Sequence, residues 1–222
     1  MPTSTFFNLP APRRDRLVDE AIVEFSERSF SEASLSEIAR RAQIPKGSFY
    51  QYFEDKLDLY RWLLTEDVPR CKRAFLARDG LAREFWAVLE TTIERGMAFL
   101  VEHPRLARLT AAAADPSAIP EVRGLHKAIC DAGRSELRAL LKQGITSGAI
   151  SSPGLDVDVA TRLVGNIIGP GLTELILDEL GAELHEVLAS DDLPRRLGPK
   201  RRARLAKQAV GFIRGGLQGG SK

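Results

Sequence analysis

The sequence predicts an all-α fold of about nine helices. Apolar residues recur at three- and four-residue spacing in almost every segment of the 222-residue chain, as they do on one face of an α-helix. No segment shows the alternation of apolar and polar residues that is typical of a half-buried strand. The content of 44% hydrophobic and 28% charged residues is ordinary for a globular protein. We therefore expect a helical protein long enough for one or two domains.

The first two predicted helices form two walls of a small core near the N-terminus. Residues 11–29 carry an apolar stripe that includes Leu17 and Phe25. Ser34 followed by Glu37 predicts a capping box, in which each side chain accepts a hydrogen bond from the other residue's backbone N–H. A short helix is therefore expected to begin at Ser34, with one apolar face.

The third predicted helix begins at about Lys46, because Pro45 ends the preceding segment and suits a helix start. Phe49 and Phe53, four residues apart, are expected to face inward. The residues left near the outer face are Lys46, Gly47, Ser48, Tyr50, Gln51 and Tyr52. Two short helices around a tight turn indicate a helix-turn-helix, whose second helix enters the major groove of DNA.

The outer residues of this helix suit contact with a duplex. Lys46 supplies positive charge for phosphate, and Gly47 lets the backbone come close. Ser48 and Gln51 can bond base edges, whereas Tyr50 and Tyr52 can donate to phosphate oxygens. The alternative for both tyrosines is that they are ordinary half-buried aromatic residues.

These residues resemble the DNA-binding domain of the TetR family of bacterial regulators. The resemblance runs from about Arg13 to Leu63 and rests on the segments SLSEIARRA, KGSFYQYF and DKLDL. It implies an all-helical homodimer, in which residues 1–55 form a three-helix DNA-binding domain and residues 56–222 form a helical domain that binds a small-molecule effector and dimerises. The family's DNA contacts fall on Ser34, Lys46, Gly47, Ser48, Tyr50, Gln51, Tyr52 and Lys56.

Two positions in the turn depart from the family pattern. Gln43 stands where the family usually has glycine, so a left-handed backbone there would cost ~1–2 kcal/mol. Pro45 stands where a serine usually caps the helix. Lys56 is also open to a second interpretation, as a solvated lysine at the start of the next helix.

The charge of the N-terminal region does not by itself indicate nucleic acid. Residues 1–60 carry eight basic and ten acidic side chains, and the whole chain has a net charge of +2. A DNA-binding surface must therefore arise from the placement of the charges. Six cations could lie on the DNA side: Arg13, Arg14, Arg40, Arg41, Lys46 and Lys56. For Arg13 and Arg14, a solvated position near the start of the first helix is the favoured interpretation. The basic run from Arg195 to Lys207 is interpreted as a solvated face, with a second nucleic-acid surface as the alternative.

Helices are also predicted over residues 56–77, 80–102, 105–114, 120–143, 156–180 and 199–217. Pro69 is expected to bend the first of them, and Gly169-Pro170-Gly171 the fifth. An apolar set could line an effector pocket or be plain core: Phe85, Trp86, Ile93, Met97 and Ile167. Another could form a dimer interface or close the monomer core: Leu163, Leu172, Leu175, Ile176, Leu205, Ala209 and Phe212.

No catalytic site, metal site or cofactor is predicted. His103, His126 and His185 stand alone, and no nucleophile motif or phosphate-binding glycine loop is present. Cys71 and Cys130 lack metal or redox spacing and are interpreted as reduced and structural. No run of eighteen apolar residues and no signal-peptide pattern is found, so the expected location is the cytoplasm.

These patterns together predict a transcriptional regulator and not an enzyme. The favoured hypothesis is a homodimeric repressor that binds a palindromic double-stranded DNA operator and is released by a small molecule. One alternative is a regulator that senses oxidants through its cysteines. The other is a helical adaptor that binds protein in place of DNA.

Overall fold

A computed structural model describes residues 1–77, 84–151 and 154–218, and these residues form α-helices and no β-strand. The helical segments are α1 (Ser4–Phe7), α2 (Ala11–Glu27), α3 (Leu35–Arg41), α4 (Lys46–Phe49), α5 (Lys56–Trp62), α6 (Val68–Leu76), α7 (Phe85–Glu102), α8 (Pro104–Ala114), α9 (Pro120–Thr146), α10 (Val157–Asn166), α11 (Leu172–Leu180), α12 (Leu184–Ala189) and α13 (Pro199–Leu217). A 3₁₀ turn covers Pro194–Arg196.

The described helices match the predicted all-α class closely. Two π-helical turns join α5 to α6 and α10 to α11, so each of these pairs is one continuous helix, as the sequence predicts. The short helices α1 and α12 are additions that the apolar spacing did not indicate. The helix predicted over residues 80–102 corresponds to α7, which is described from Phe85. Its predicted start at residue 80 lies outside the described residues.

Both π turns occur where a proline interrupts a long helix. The first covers Leu63–Asp67 and precedes Pro69, and the second covers Ile167–Gly171 and contains Pro170. Proline has no backbone N–H to donate, and a wider turn is one way in which a helix continues past it. A π turn therefore lies at or next to each predicted bend and the helix continues through it, while the bends themselves stay predictions.

The chain divides by packing into two compact units. Unit 1 comprises Met1–Arg73 and Arg105–Ile129, and unit 2 comprises Ala74–Pro104 and Cys130–Lys222. These units are defined by which residues pack together. The predicted boundary after residue 55 separates a DNA-binding domain from an effector-binding domain, and it stays a prediction. Among the described residues, none of the helices combines the length and the hydropathy that a membrane span requires.

Unit 1 has an aromatic core. Phe25, Phe49 and Phe53 are at most 1% exposed. Tyr60 lies on α5, packs edge-on against Phe25 at a centroid distance of 4.8 Å, and is also buried. Its hydroxyl donates to the Leu109 carbonyl at 3.3 Å, which gives the buried polar group a partner. The core thus joins the helix-turn-helix region to α8.

Unit 2 has an apolar core in which α7 and α13 lie side by side. Across this pair, Arg202 donates to Glu94 at 3.0 Å. The predicted dimer residues divide into two groups here. Leu163, Leu175 and Phe212 are exposed by 60%, 48% and 74%.

Three members of the predicted dimer set are buried in the core of unit 2. Leu172, Leu205 and Ala209 are at most 7% exposed, so they help to close the core of the subunit, which is the second of the two interpretations that the sequence allowed. The reason is that α13 turns Leu205, Ala209 and Ile213, at four-residue spacing, toward its own core. Ile176 is partly buried against the same core.

Candidate nucleic-acid interface

The start of α3 is fixed by one predicted contact and one unpredicted contact. The Glu37 N–H donates to the Ser34 hydroxyl at 3.4 Å, as a capping box requires. The Ser34 N–H, however, donates to Glu24 of α2 at 2.8 Å and not to Glu37. The reciprocal half of the predicted box is therefore wrong, because the Glu37 side chain pairs with Arg40.

Glu24 also holds the other end of α3. Its carboxylate is 1% exposed and accepts from Arg41 at 2.8 Å, and Arg41 also pairs with Glu20 at 2.9 Å. A carboxylate buried at this depth needs such partners, because desolvation would otherwise disfavour its charge. One acid of α2 thus ties α3 at both of its ends.

Sequence reasoning did not identify Glu24, although a signal was present. Glu24 falls between Ala21 and Phe25 on the stripe that Leu17 begins, so helical spacing alone places it on the inner face of α2. A charged residue at an inner position indicates a buried partner elsewhere in the fold. Arg41 is that partner.

The turn between α3 and α4 passes through Gln43, which has φ 57°. The left-handed backbone considered from the sequence is therefore present at a residue other than glycine. Arg16 of α2 donates to the Gln43 side-chain oxygen at 2.7 Å, and the Ile44 N–H donates to the Ala39 carbonyl at 2.9 Å. These two contacts hold the turn in a conformation that costs free energy at a side-chain-bearing residue.

Helix α4 begins at Lys46 as predicted and turns its polar residues outward. Phe49 and Phe53 are buried, with 1% and 0% exposure, and their rings lie 5.7 Å apart. Apart from Gly47 itself, its two chain neighbours and the nearby backbone of its own helix, no atom of the described residues lies within 4 Å of the position that a Cβ on Gly47 would occupy. We call the residues on the outer side of α4 and its last turn the reading face: Lys46, Gly47, Ser48, Tyr50 and Gln51.

Tyr52 does not lie on this face. The sequence placed it near the outer side, but only 8% of its surface is exposed. The reason is that α4 ends at Phe49, so the chain turns and Tyr52 and Phe53 are both buried. The predicted contact between the Tyr52 hydroxyl and phosphate stays untested.

Lys56 has partners inside unit 1. Its ammonium donates to the carbonyls of Ser31 and Ala33 at 3.1 and 2.9 Å and lies 4.8 Å from the centre of the Phe30 ring. Burial lowers the pKa of this ammonium, and Glu24 opposes that shift. Lys56 therefore holds the loop before α3, and its predicted phosphate contact stays a prediction.

The cations expected on the DNA side differ in whether they form ion pairs or hydrogen bonds within the protein. Arg40 pairs with Glu37 at 2.8 Å, and Arg41 is bound to the two acids of α2. Arg14 donates to the Phe7 carbonyl at 3.2 Å. Lys46 is exposed and forms no ion pair with any residue that the structure describes. The Lys46 ammonium, on the reading face, is thus accessible to a phosphate group.

The predicted effector-pocket residues all belong to the core of unit 2. Phe85, Trp86, Ile93 and Met97 are buried in one apolar cluster, and Ile167 packs against it. The Trp86 indole N–H donates to the Ala149 carbonyl at 3.2 Å. The structure brings the five residues together, which fits both plain core and a ligand-lined site.

The described residues contain no group of three or more His, Cys, Asp or Glu side chains that could hold a metal ion. Neither Cys71 nor Cys130 forms a disulfide. Burial raises the pKa of the Cys71 thiol, and the nearby Asp67 carboxylate adds to this shift. The basic run from Arg195 to Lys207 contains ion pairs of Arg202 with Glu94 and of Arg204 with Glu179.

Comparison with known proteins agrees with this geometry. Residues 17–62 match the model of the family described as bacterial regulatory proteins, tetR family. A fatty acid metabolism regulator protein of Bacillus subtilis (strain 168) is 25% identical over 171 residues, which cover 76% of this chain and 86% of that protein.

Solved structures extend the similarity to the whole chain. A TetR family transcriptional regulator from Chloroflexus aurantiacus J-10-FL is 32% identical, with a TM-score of 0.66 and coverage of 97% of this chain and 98% of that one. FadR from Bacillus subtilis in complex with stearoyl-CoA shares the fold, with 20% identity, a TM-score of 0.66 and coverage of 91% and 98%. The chain therefore belongs to the TetR family of transcriptional regulators and is not an enzyme.

Proposed function

We propose that this chain is a repressor that binds a palindromic operator as a homodimer and leaves it when a small molecule binds. Residues 1–55 would read the DNA, and residues 56–222 would bind the effector and dimerise. The observation that carries this proposal is the reading face. It presents an exposed lysine, a glycine with open space at its Cβ position and an exposed tyrosine, on a helix whose inner side is packed through Phe49 and Phe53.

Each residue of the reading face has a distinct part in the proposal. Lys46 neutralises a phosphate, and the open space around Gly47 lets the backbone approach the groove. Tyr50, 55% exposed, donates to a phosphate, while Ser48 and Gln51 bond base edges. The Ser34 hydroxyl already accepts from the Glu37 N–H, and its hydrogen is left to donate to a phosphate.

Dimerisation is supported by exposed apolar residues in unit 2. Leu163, Leu175 and Phe212 expose about half or more of their surface, and Val159 near Leu163 is 52% exposed. Large apolar side chains exposed in numbers mark association surfaces. A homodimer would cover them and supply the two reading helices, ~34–36 Å apart, that a palindromic site needs.

For the effector we propose a long-chain acyl thioester. The Bacillus subtilis relative is named for fatty acid metabolism, and the FadR structure was solved with stearoyl-CoA. The apolar cluster with Phe85, Trp86, Ile93 and Met97 has the chemistry that an acyl chain prefers. Release from DNA requires that the ligand binds one conformer better than the other, and a hundredfold loss of operator affinity needs about 2.7 kcal/mol of coupling.

The cysteine-based alternative has less support. A thiol reacts with oxidants as its thiolate, and a raised pKa reduces the thiolate fraction of Cys71. Replacing both cysteines by serine tests this alternative. An oxidant response of DNA binding that disappears in the double variant would favour the redox sensor over the acyl effector.

Selection from a random-sequence duplex library tests the proposal. The protein should enrich a two-fold symmetric duplex, and stearoyl-CoA should release that duplex while coenzyme A alone should not. Lys46→Ala should weaken binding, whereas Lys207→Ala, which removes an exposed lysine of α13, should not. Failure to enrich any duplex would favour the adaptor, and enrichment of an asymmetric sequence by a monomer would contradict the two-fold model.

A further inference from the structure

The segment Thr3–Phe7, which precedes the region matched by the family model, folds back onto the end of the reading helix. The Thr3 N–H donates to the Tyr52 carbonyl at 3.0 Å, and the Thr3 hydroxyl donates to the Gln51 carbonyl at 2.5 Å. Two successive carbonyls just after α4 are thus bound by one residue that lies 48 positions earlier in the chain.

Helix α4 depends on such outside contacts more than a longer helix would. It has four residues, and a helix this short is not stable by itself. The last carbonyl of α4, that of Phe49, accepts locally from the Tyr52 and Phe53 N–H groups at 2.9 and 3.1 Å. The carbonyls of Gln51 and Tyr52 receive their donors from Thr3, which thereby ties the backbone of Gln51, a member of the reading face.

Phe6 makes a second connection to α4 through the aromatic core. It is 0% exposed, and its ring packs edge-on against Phe53 at 4.9 Å and Trp62 at 5.0 Å. Phe53 in turn stacks on Phe49, the inward residue of α4. The ring of Phe6 therefore supports the inner side of the helix whose outer side carries Lys46 and Tyr50.

The same segment is anchored to α2 at its other end. Arg14 of α2 donates to the Phe7 carbonyl at 3.2 Å, and the Leu9 N–H donates to the Phe6 carbonyl at 3.2 Å. The segment thus connects α2 to the residues that follow α4, through the Gln51 and Tyr52 carbonyls and the Phe53 ring.

We propose that Thr3–Phe7 is a strap that sets the orientation of the reading face, with Thr3 and Phe6 as positioning residues for sequence recognition. Thr3 acts through the Gln51 and Tyr52 carbonyls, and Phe6 acts through Phe53. This inference rests on the DNA-reading role proposed for α4. Base-edge hydrogen bonds tolerate little displacement, whereas phosphate contacts tolerate more. Loss of the strap should therefore lower specific affinity and leave non-specific affinity unchanged.

A matched pair of substitutions tests the hydroxyl of Thr3. Thr3→Val keeps the branched shape and removes the donor, and Thr3→Ser keeps the donor. The probes are the duplex that the unsubstituted protein selects from a random library and a shuffled duplex of the same composition. Thr3→Val should lower affinity for the selected duplex about fivefold, as expected for one hydrogen bond. Thr3→Ser should match the unsubstituted protein, and affinity for the shuffled duplex should not change.

The salt dependence separates positioning from direct contact. A residue that touches phosphate contributes to the slope of log affinity against log salt, and a positioning residue does not. Thr3→Val should keep the slope of the unsubstituted protein. A smaller slope in Thr3→Val would mean that Thr3 contacts DNA itself, and it would overturn the proposal.

Amide hydrogen exchange measured without DNA gives an independent test. Thr3→Val and the milder core variant Phe6→Leu should each speed exchange at residues 49–53 severalfold relative to Thr3→Ser, with α3 unchanged. Unchanged exchange at residues 49–53 in both variants would overturn the strap. A protein that selects no duplex contradicts the proposed function, whereas a Thr3→Val variant that binds the selected duplex like the unsubstituted protein contradicts the strap alone.

Discussion

The two compact units hold their helices in place by different means. In unit 1 the carboxylates of Glu24, Asp58 and Asp67 are buried, whereas the buried polar residue found in the described part of unit 2 is Thr161, whose hydroxyl donates to its own helix. Helix α4 has four residues and is fixed by neighbours, and α13 has nineteen and packs through its own apolar stripe. Specific partners thus set geometry in unit 1, and apolar burial sets it in unit 2.

The largest expected difference between the units concerns one aromatic residue in each. Phe53→Ala should lower the free energy of unfolding by about 3–5 kcal/mol, because the ring is fully buried against Phe6, Phe49 and Trp62. Phe212→Ala should leave the stability of the subunit nearly unchanged when unfolding is measured on the dissociated monomer, because 74% of Phe212 is exposed there. Chemical denaturation of both variants measures the difference. Equal losses of unfolding free energy in the two variants would contradict this prediction.

Removal of one acid in each unit should have the next largest effect. Glu24→Ala should cost about 3 kcal/mol, because it leaves Arg41 and the Ser34 N–H without a buried acceptor. Glu94→Ala removes the partner of Arg202 in unit 2 and should cost about 1 kcal/mol or less, since that pair is partly solvated. Chemical denaturation again measures both losses. A larger loss for Glu94→Ala would contradict the claim that polar partners matter more in unit 1 than in unit 2.

Alkaline pH should reveal the buried hydroxyl of Tyr60. Burial raises the pKa of Tyr60 from 10.0 to about 12, so the folded state favours the neutral phenol. This stabilisation is fully present below pH 10 and is lost as the pH rises to about 12, with a loss of up to about 2–3 kcal/mol. Over this range the unsubstituted protein should lose stability relative to Tyr60→Phe, because phenylalanine does not ionise. A constant difference would contradict the prediction.

The smallest expected effect lies in the turn before α4. Gln43→Gly should be more stable than Gln43→Ala by about 1 kcal/mol, because glycine adopts the left-handed backbone without a steric cost. Both variants lose the contact with Arg16, so their difference reports the backbone alone. Thermal unfolding checks this prediction, and a more stable alanine variant would show that the turn is not strained.

In unit 1 the sequence predicted the local helix features but not the contacts between residues far apart in the chain. The start of α4 at Lys46 and the inward Phe49 and Phe53 followed from proline chemistry and helical spacing. Glu24 was not identified as a contact to α3, nor Thr3 and Phe6 as contacts to the residues after α4. Each contacts a residue at least ten positions away, and helical periodicity reports only one helix.

In unit 2 the sequence predicted helices but not which face each apolar residue occupies. Helix α13 carries both the buried Leu205 and the exposed Phe212, and spacing alone does not say which stripe meets the core. The five candidate pocket residues came together in the apolar cluster, yet a core and an acyl-binding site use the same side chains. The shape of a binding site depends on how the helices pack against each other, and residue spacing within one helix does not report that packing.

The salt dependence of operator affinity tests the central claim, that the outer side of α4 binds the duplex. The slope of log affinity against log salt should be compared for the unsubstituted protein, Lys46→Ala and Lys207→Ala, on the selected duplex. Lys46→Ala should reduce the magnitude of the slope by about one for each subunit bound, because one phosphate contact is lost per reading helix. Lys207→Ala should leave the slope unchanged. Identical slopes for all three proteins would contradict the assignment of the reading face.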